Sequence, residues 1–215
     1  MSDDRPPDCD ALFPETIETD RLRLERVDPA SPTALEMYEH WRQGAPNIEE
    51  TTEYVTWGPY SHPKGVAETL DRALGHVEDA EGSMYVVRAA EAGGEFAGTT
   101  GLSVNWDCQR GGLGIWLRKP FWGRGYSGER ADALLELAFA RLDLDSVSVA
   151  HLPDNENSKR AITKYIRRHG GRCEGTFRNF VTDEGGTVHH VCNYSVSQRE
   201  WAKADGTLTA VQFHD

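Results

Sequence analysis

The residues best placed to do chemistry lie in one run, residues 116–129, which reads WLRKPFWGRGYSGE. A predicted strand leads through Pro120 into a turn that holds Gly123 and Gly125, and a predicted helix follows. Glycines let the backbone approach a ligand closely, and the N–H groups of a helix N-terminus attract anions. The run therefore predicts a pyrophosphate site, to which Arg124 can add a charge-assisted hydrogen bond. A plain turn before a helix is the alternative that two glycines alone leave open.

Asn155 and Ser158 form a second candidate set, because they follow an alternating strand and begin a predicted helix. Their side chains can serve a bound ligand, but the N-cap and first turn of any helix favour the same residue types. His189 and His190 are adjacent in a predicted strand, so they point to opposite faces and cannot share one metal ion. The four cysteines are scattered without zinc-ligand spacing, so we expect them to be reduced and we expect no metal site.

Hydrophobic periodicity predicts the elements that must position these residues. Seven strands are expected at residues 17–27, 83–90, 95–104, 111–117, 146–151, 172–182 and 188–196, and four helices at 33–42, 63–81, 125–142 and 155–168. This order favours one mixed α/β sheet with helices on both faces. We expect a single domain at residues 16–201, between a flexible leader at 1–15 and a flexible tail at 202–215.

The composition describes an acidic protein without nucleic-acid or membrane partners. A formal net charge of −12 opposes binding to phosphate backbones. The N-terminus does not resemble a signal peptide, and no run approaches the roughly 18 consecutive apolar residues of a membrane span, so a cytoplasmic location is expected. Only five of the 23 basic residues are lysine, which is typical of halophilic proteins. An acidic surface that attracts a cationic acceptor is the alternative.

Five short segments occur in the order and rough spacing of the GNAT N-acetyltransferases, and they resemble the RimJ/RimL-type branch. They are TDRLRL at 19–24, GIWL at 114–117, FWGRGYS at 121–127, NENS at 155–158 and REW at 199–201. The resemblance covers about residues 17–201. It implies the GNAT fold, a twisted, mixed and mostly antiparallel sheet of about seven strands with helices on both faces. It also implies acetyl-CoA as the cosubstrate and an amine as the acceptor.

The resemblance further implies roles for matching residues. The family's glycine loop holds the CoA pyrophosphate through backbone N–H groups, and two splayed parallel strands expose an edge that pairs with the pantetheine arm. Asn155 matches an Asn that bonds the pantetheine arm, and Ser158 matches a proposed proton donor to the leaving thiolate. The implied loop residues are Trp122, Gly123, Arg124, Gly125, Tyr126 and Ser127, and the implied edge residues are Trp116, Leu117 and Arg118.

Two positions depart from the family pattern. Gly112 stands where this branch often has a Glu, and Ile162 stands where many GNAT enzymes have a Tyr. Tyr165 lies one helical turn further on and is expected to pack. The general base stays open among the nearby polar residues Asn105, Asp107 and Glu129.

The resemblance places the acceptor pocket in the region of the first two predicted helices. The aromatic residues there are Trp41, Tyr54, Trp57 and Tyr60. They can be core residues or substrate contacts, and the loop at residues 57–60 is the part expected to form a substrate wall.

The implied activity is direct transfer of acetyl from acetyl-CoA to a primary amine, either a protein N-terminus or a small amine, within a ternary complex. No nucleophile with an adjacent base can be assembled from the sequence, so no covalent enzyme intermediate is expected. The protein is expected to be a monomer or a homodimer. A non-catalytic CoA-binding sensor and an acidic interaction protein that binds no CoA are the alternatives.

Overall fold

The computed structural model describes residues 12–204 and 209–215. Its strands are β1 (Thr16–Glu18), β2 (Leu22–Arg26), β3 (Gly82–Ala89), β4 (Glu95–Asn105), β5 (Arg110–Leu117), β6 (Ser146–His151), β7 (Arg172–Thr182), β8 (Val188–Ser197) and β9 (Gln212–His214). They form one sheet in the order β7-β8-β6-β5-β4-β3-β2-β1-β9. Only β5 and β6 pair in parallel within this sheet of described residues. The expected mixed, mostly antiparallel sheet is confirmed, with nine strands instead of about seven.

One extra strand arises because the strand predicted at 17–27 is in fact a hairpin. Ile17 and Leu22 are five residues apart, and a single strand would place them on opposite faces. A turn closed by Thr19, whose N–H donates to the Leu22 carbonyl at 2.9 Å, returns both to one face. Ile17 then opposes Leu24 across the hairpin, and all three apolar side chains are buried.

The other extra strand corrects the prediction of a flexible tail at 202–215. β9 pairs with β1 at the sheet edge, and Phe213 packs against the core. Arg141 forms an ion pair with Asp215 at 2.6 Å. Residues 205–208 of the predicted tail and residues 1–11 of the predicted leader lie outside the described residues. Phe13, near the end of the predicted leader, is buried in the core.

Six α-helices lie in the described part of the chain: α1 (Ala34–Trp41), α2 (Ile48–Thr52), α3 (Pro63–Glu78), α4 (Tyr126–Glu136), α5 (Glu156–Arg168) and α6 (Gln198–Trp201). The four predicted helices are all present, and the one expected at 125–142 is α4 followed by a π-helical turn at Leu137–Arg141. The short helices α2 and α6 were not predicted, because so few residues show no helical period. None of the helices in residues 12–204 is long and apolar enough to span a bilayer.

The helices cover both faces of the sheet, as expected. Alternate side chains of β3 show this division: Tyr85 and Val87 belong to a core cluster with α4 and α5, whereas Val86 belongs to a second cluster with α1, α2 and α3. Because side chains alternate along a strand, each face has its own core. The parallel strands β5 and β6 lie inside the sheet, between these two layers.

Candidate active site

A gap opens in the middle of the sheet, between the two parallel strands. β5 and β6 pair only as far as Leu113 and Val149, although β5 continues to Leu117 and β6 to His151. Their outer neighbours stay paired over the same stretch, β4 with β5 up to Leu117 and β8 with β6 up to His151. The gap therefore exposes one backbone edge of β5 at residues 114–117.

Hydrogen bonds show which residues present their backbone to this gap. The Arg118 N–H donates to the Ala97 carbonyl and the Thr100 hydroxyl donates to the Gly114 carbonyl, so these even-numbered residues of the segment face β4. The N–H and C=O groups of successive residues point to opposite edges of a strand, so those of Ile115 and Leu117 point into the gap. Ile115 is a site residue that the sequence analysis missed, although the same alternation could have identified it.

The three implied edge residues therefore differ in what they can offer. Leu117 presents its backbone to the gap, and its carbonyl accepts from the Trp122 indole at 2.8 Å. The Arg118 guanidinium is held by Glu95 at 2.9 Å and by the Phe96 carbonyl at 2.6 Å. Trp116 turns its backbone toward β4 and buries its ring against α1 and the loop after α2.

The glycine loop follows directly from the exposed edge. Gly123 and Gly125 both have positive φ, at 75° and 85°, which glycine adopts without the steric cost of a side chain. The N–H groups of residues 123–127 have no acceptor within the described part of the chain. The Gly125 carbonyl accepts from Gly128 and Glu129 and starts α4. The loop thus places a row of free N–H donors at a helix N-terminus, which suits a phosphate group.

The side chains of the loop are divided between the core and the solvent. Tyr126 is buried, and its hydroxyl donates to Glu91, so only its backbone is available to a ligand. The Trp122 ring is half-buried beneath the Lys119 ammonium, 4.5 Å from its centroid. Arg124 is exposed, with its guanidinium 5.4 Å from the Phe121 ring.

A buried carboxylate braces the loop from below. Glu129 is 6% exposed and accepts from the Thr19 hydroxyl at 2.7 Å, the Arg21 N–H at 2.8 Å and the Arg21 Nε at 2.7 Å. Arg21 also donates through Nη1 to the Arg124 carbonyl at 2.9 Å. The turn between β1 and β2 therefore fixes the loop, which is a physical role for the TDRL segment.

This bonding removes Glu129 from the three candidate bases, because its oxygens already accept several donors. Asn105 and Asp107 lie before β5, at the end of the sheet opposite the gap, roughly 20 Å away at about 3.3 Å per residue. At Gly112, where the branch often has a Glu, a Cβ would lie 2.6 Å from the Ser103 hydroxyl. The site therefore has no general base among these positions.

Asn155 and Ser158 begin α5, just past the end of β6 and thus beside the gap. The Asn155 side-chain oxygen accepts from the Ser158 N–H at 2.9 Å, so Asn155 is the N-cap of the helix. That bond leaves the Asn155 amide NH2 and the Ser158 hydroxyl, both on half-buried residues, free for other partners. Ile162 and Tyr165 continue the same helix face into the core, where Tyr165 packs as expected.

A cavity of about 440 Å³ lies on the α1–α3 side of the sheet. Its residues come from α1, α3, the loop after α2, the floor strands β3 and β4, and the tip of the β7–β8 hairpin. They are Trp41, Thr56, Trp57, Tyr60, Thr69, Arg72, Met84, Thr99, Thr182, Asp183 and Glu184. We call this the aromatic cavity. Trp41, Trp57 and Tyr60 line it, whereas Tyr54 is not among its lining residues.

The β7–β8 hairpin contributes one wall of the aromatic cavity and docks on the loop after α2. The Glu184 N–H donates to the Thr56 carbonyl at 3.0 Å, and the Gly58 N–H donates to the Glu184 carboxylate at 3.3 Å. Asp183 bonds His189 at 2.8 Å, whereas His190 accepts from the Asn179 N–H at 3.0 Å. The adjacent histidines thus have separate partners, and no group of three metal-ligating side chains occurs among the described residues.

Comparison with known proteins gives relatives that share this fold. The uncharacterized N-acetyltransferase p20 of Bacillus licheniformis is 22% identical over 189 residues, 87% of this chain and 99% of that protein. A T. thermophilus structure described as an acetyltransferase is 25% identical with a TM-score of 0.73, covering 91% of this chain and 96% of the other. The spermidine N-acetyltransferase of Vibrio cholerae, solved with CoA and spermine, is 16% identical with a TM-score of 0.65, covering 85% and 98%.

The family assignment rests on the match to a whole-domain pattern. Residues 21–165, about two thirds of the chain, match the acetyltransferase (GNAT) domain family. This segment runs from Arg21, through β5 and the glycine loop, to Tyr165 in the last turn of α5. The chain therefore belongs to the GNAT acetyltransferase family and is an acyl-CoA-dependent N-acetyltransferase that uses acetyl-CoA.

Proposed function

We propose that this protein is a RimJ/RimL-type enzyme that transfers acetyl to a primary amine, a protein N-terminus or a small amine, by direct attack within a ternary complex. The gap between β5 and β6 carries the proposal, because the glycine loop lies at one end of it and the start of α5 lies beside it. A pantetheine arm in the gap would meet the backbone of Ile115 and Leu117. Its pyrophosphate would meet the N–H groups of residues 123–127, with Arg124 adding charge.

The acceptor ammonium first loses a proton to water, because no general base is available among the candidate residues. The amine nitrogen then attacks the thioester carbon, the new C–N bond forms, and the C–S bond breaks with its electron pair on the CoA sulfur. The nitrogen gives up one further proton, and the thiolate takes one from Ser158, which is restored from solvent. The products are the N-acetyl amide, CoA thiol and one net proton.

Titration calorimetry with acetyl-CoA, followed by a thiol-release assay over a panel of amines, tests the proposal. Micromolar binding together with turnover of a primary amine supports it. Binding without turnover of any amine would instead favour the CoA-binding sensor. A folded sample that does not bind acetyl-CoA would overturn both the enzyme and the sensor, leaving the acidic interaction protein.

A further inference from the structure

The aromatic cavity carries a negative charge that acetyl transfer itself does not require. Asp183 and Glu184 line it opposite a single lining cation, Arg72, so the lining has a formal charge of −1. The hydrogen bond from His189, together with the Thr187 N–H, lowers the pKa of Asp183, so this carboxylate stays charged across the neutral range. Arg72 is turned toward α3, where its Nη2 donates to the Thr69 hydroxyl at 2.9 Å.

The aromatic rings of the same cavity favour a cationic guest. The Trp57 and Tyr60 rings lie nearly parallel, 17° apart, with centroids separated by 6.1 Å, and Trp41 lies 5.1 Å from Trp57. An ammonium group over the face of such rings is attracted by the ring quadrupole, and Trp is the best partner. The Tyr60 hydroxyl bonds Thr69 at 2.8 Å, which holds the ring in place.

The position of the cavity relates it to the reacting amine. Thr99, on the cavity floor, is directly opposite Trp116 in the pairing of β4 with β5, and the far edge of β5 faces the gap. Neighbouring strands are about 4.8 Å apart, so the cavity floor lies one to two strand spacings, about 5–10 Å, from the gap. A short alkyl chain spans that distance.

We propose that the acceptor is a small diamine, in which one nitrogen is acetylated at the gap while the second, still an ammonium, lies in the aromatic cavity against Glu184, Asp183 and Trp57. The charges match, because a diamine with one neutral nitrogen carries +1 and the lining carries −1. The inference rests on the proposed function and names the substrate class for the same site.

Matched amines test the inference. Cadaverine and n-hexylamine have the same chain length and differ only in a terminal ammonium or methyl group, so their kcat/KM values isolate the second charge. We expect cadaverine to be favoured about tenfold after correction for its two equivalent nitrogens. Glu184→Gln should remove most of this preference while leaving the Kd for acetyl-CoA unchanged. Glu78→Gln, which removes one exposed charge on α3 outside the cavity, should retain it.

Each result separates the diamine inference from the proposed function. Equal or better use of n-hexylamine, or a preference that survives in Glu184→Gln, overturns the inference while leaving the transferase intact. Turnover of peptide N-termini without turnover of cadaverine does the same. If acetyl-CoA binds but no amine is turned over, calorimetric titration of cadaverine into the protein–CoA complex tests the inference instead. Absence of cadaverine binding then overturns the inference. Failure to bind acetyl-CoA overturns the proposed function first.

Discussion

At the scale of single residues, Gly125 joins the glycine loop to α4. Its φ of 85° lies in the left-handed region, and its carbonyl starts α4. Arg21 lies just beneath it, since a Cβ at Gly125 would be 3.5 Å from Nη2 of that side chain. Space is therefore sufficient for a methyl group, and the backbone conformation is what demands glycine.

Gly125→Ala should lower the free energy of unfolding by about 1–2 kcal/mol, because a side chain in the left-handed region costs about that much. It should also weaken acetyl-CoA binding at least several-fold, because relief of the left-handed conformation would reorient the backbone N–H groups of the loop. Gly128→Ala is the matched control. This residue has helical φ and open space around a Cβ, so alanine there should stabilise the protein by about 0.5–1 kcal/mol. Urea unfolding measures the stability change, and titration calorimetry measures acetyl-CoA binding. Equal effects of Gly125→Ala and Gly128→Ala would contradict a special requirement for glycine at residue 125.

Ser158→Ala separates a proton donor from a helix-start residue. The bond that caps α5 uses the Ser158 N–H and not its hydroxyl, so alanine keeps the cap. A hydroxyl that protonates the leaving thiolate contributes on the order of 10²-fold to the rate. We therefore expect kcat to fall by about 10²-fold with unchanged stability and unchanged Kd for acetyl-CoA. Normal turnover in a thiol-release assay would leave Ser158 only its place in the first turn.

At the scale of elements, α4 and α5 both begin beside the gap and are joined by one buried carboxylate. Asp132 of α4 is 3% exposed and accepts from Arg168 and from His169 at 2.8 Å, both at the end of α5. Its second oxygen accepts from Thr209 at 3.1 Å, which ties in the segment that leads to β9. Asp132 thus fixes the angle between the two helices that begin beside the gap.

Asp132→Asn should lower the free energy of unfolding by about 2–3 kcal/mol. Removing one partner of a fully buried ion pair costs roughly 3–5 kcal/mol, and the loss is smaller here because Arg168 is 38% exposed and can reach water. Urea unfolding measures the change. Glu136→Gln, on the same helix but only half-buried, is the control and should stay within about 0.5 kcal/mol of the parent. A similar loss of stability in both variants would mean that negative charge on α4 in general stabilises the protein, and not the contacts of Asp132 with α5.

At the scale of the whole molecule, the dominant property is electrostatic repulsion among the excess acidic residues. The chain carries 35 acidic and 23 basic residues, for a formal net charge of −12. Many of the arginines are already committed to local partners, as Arg21 is to Glu129 and Arg118 is to Glu95. The excess negative charge therefore lies largely on the surface, where dissolved salt can screen it.

The protein should become more stable as salt rises, because salt screens the repulsion among its excess acidic residues. Raising KCl from 0.1 M to 1 M shortens the screening length from about 10 Å to about 3 Å and should raise Tm by several degrees. Calorimetric or fluorescence melting measures Tm, with an equal osmolality of sucrose as the control for general exclusion effects. A Tm that stays flat or falls in KCl would show that surface repulsion does not limit stability.

Features that depend on neighbouring residues along the chain could be predicted from the sequence. The glycine loop was predicted from a strand, two glycines and a helix, and the N-cap role of Asn155 was read from its residue type. All four predicted helices and six of the seven predicted strands stand with small shifts in their ends. These features could be predicted because turn chemistry and hydrophobic period act over a few residues.

Features that depend on contacts between distant segments could be seen only in the folded structure. β5 and β6 separate after Leu113. Two other features join positions up to about 130 residues apart: the hydrogen bonds from Thr19 and Arg21 to Glu129, and the docking of Glu184 on residues 56–58. The strand β9 likewise forms only because the edge of β1 is there to receive it. No local pattern encodes such pairings, since each depends on which backbone edges and charges the finished sheet brings together.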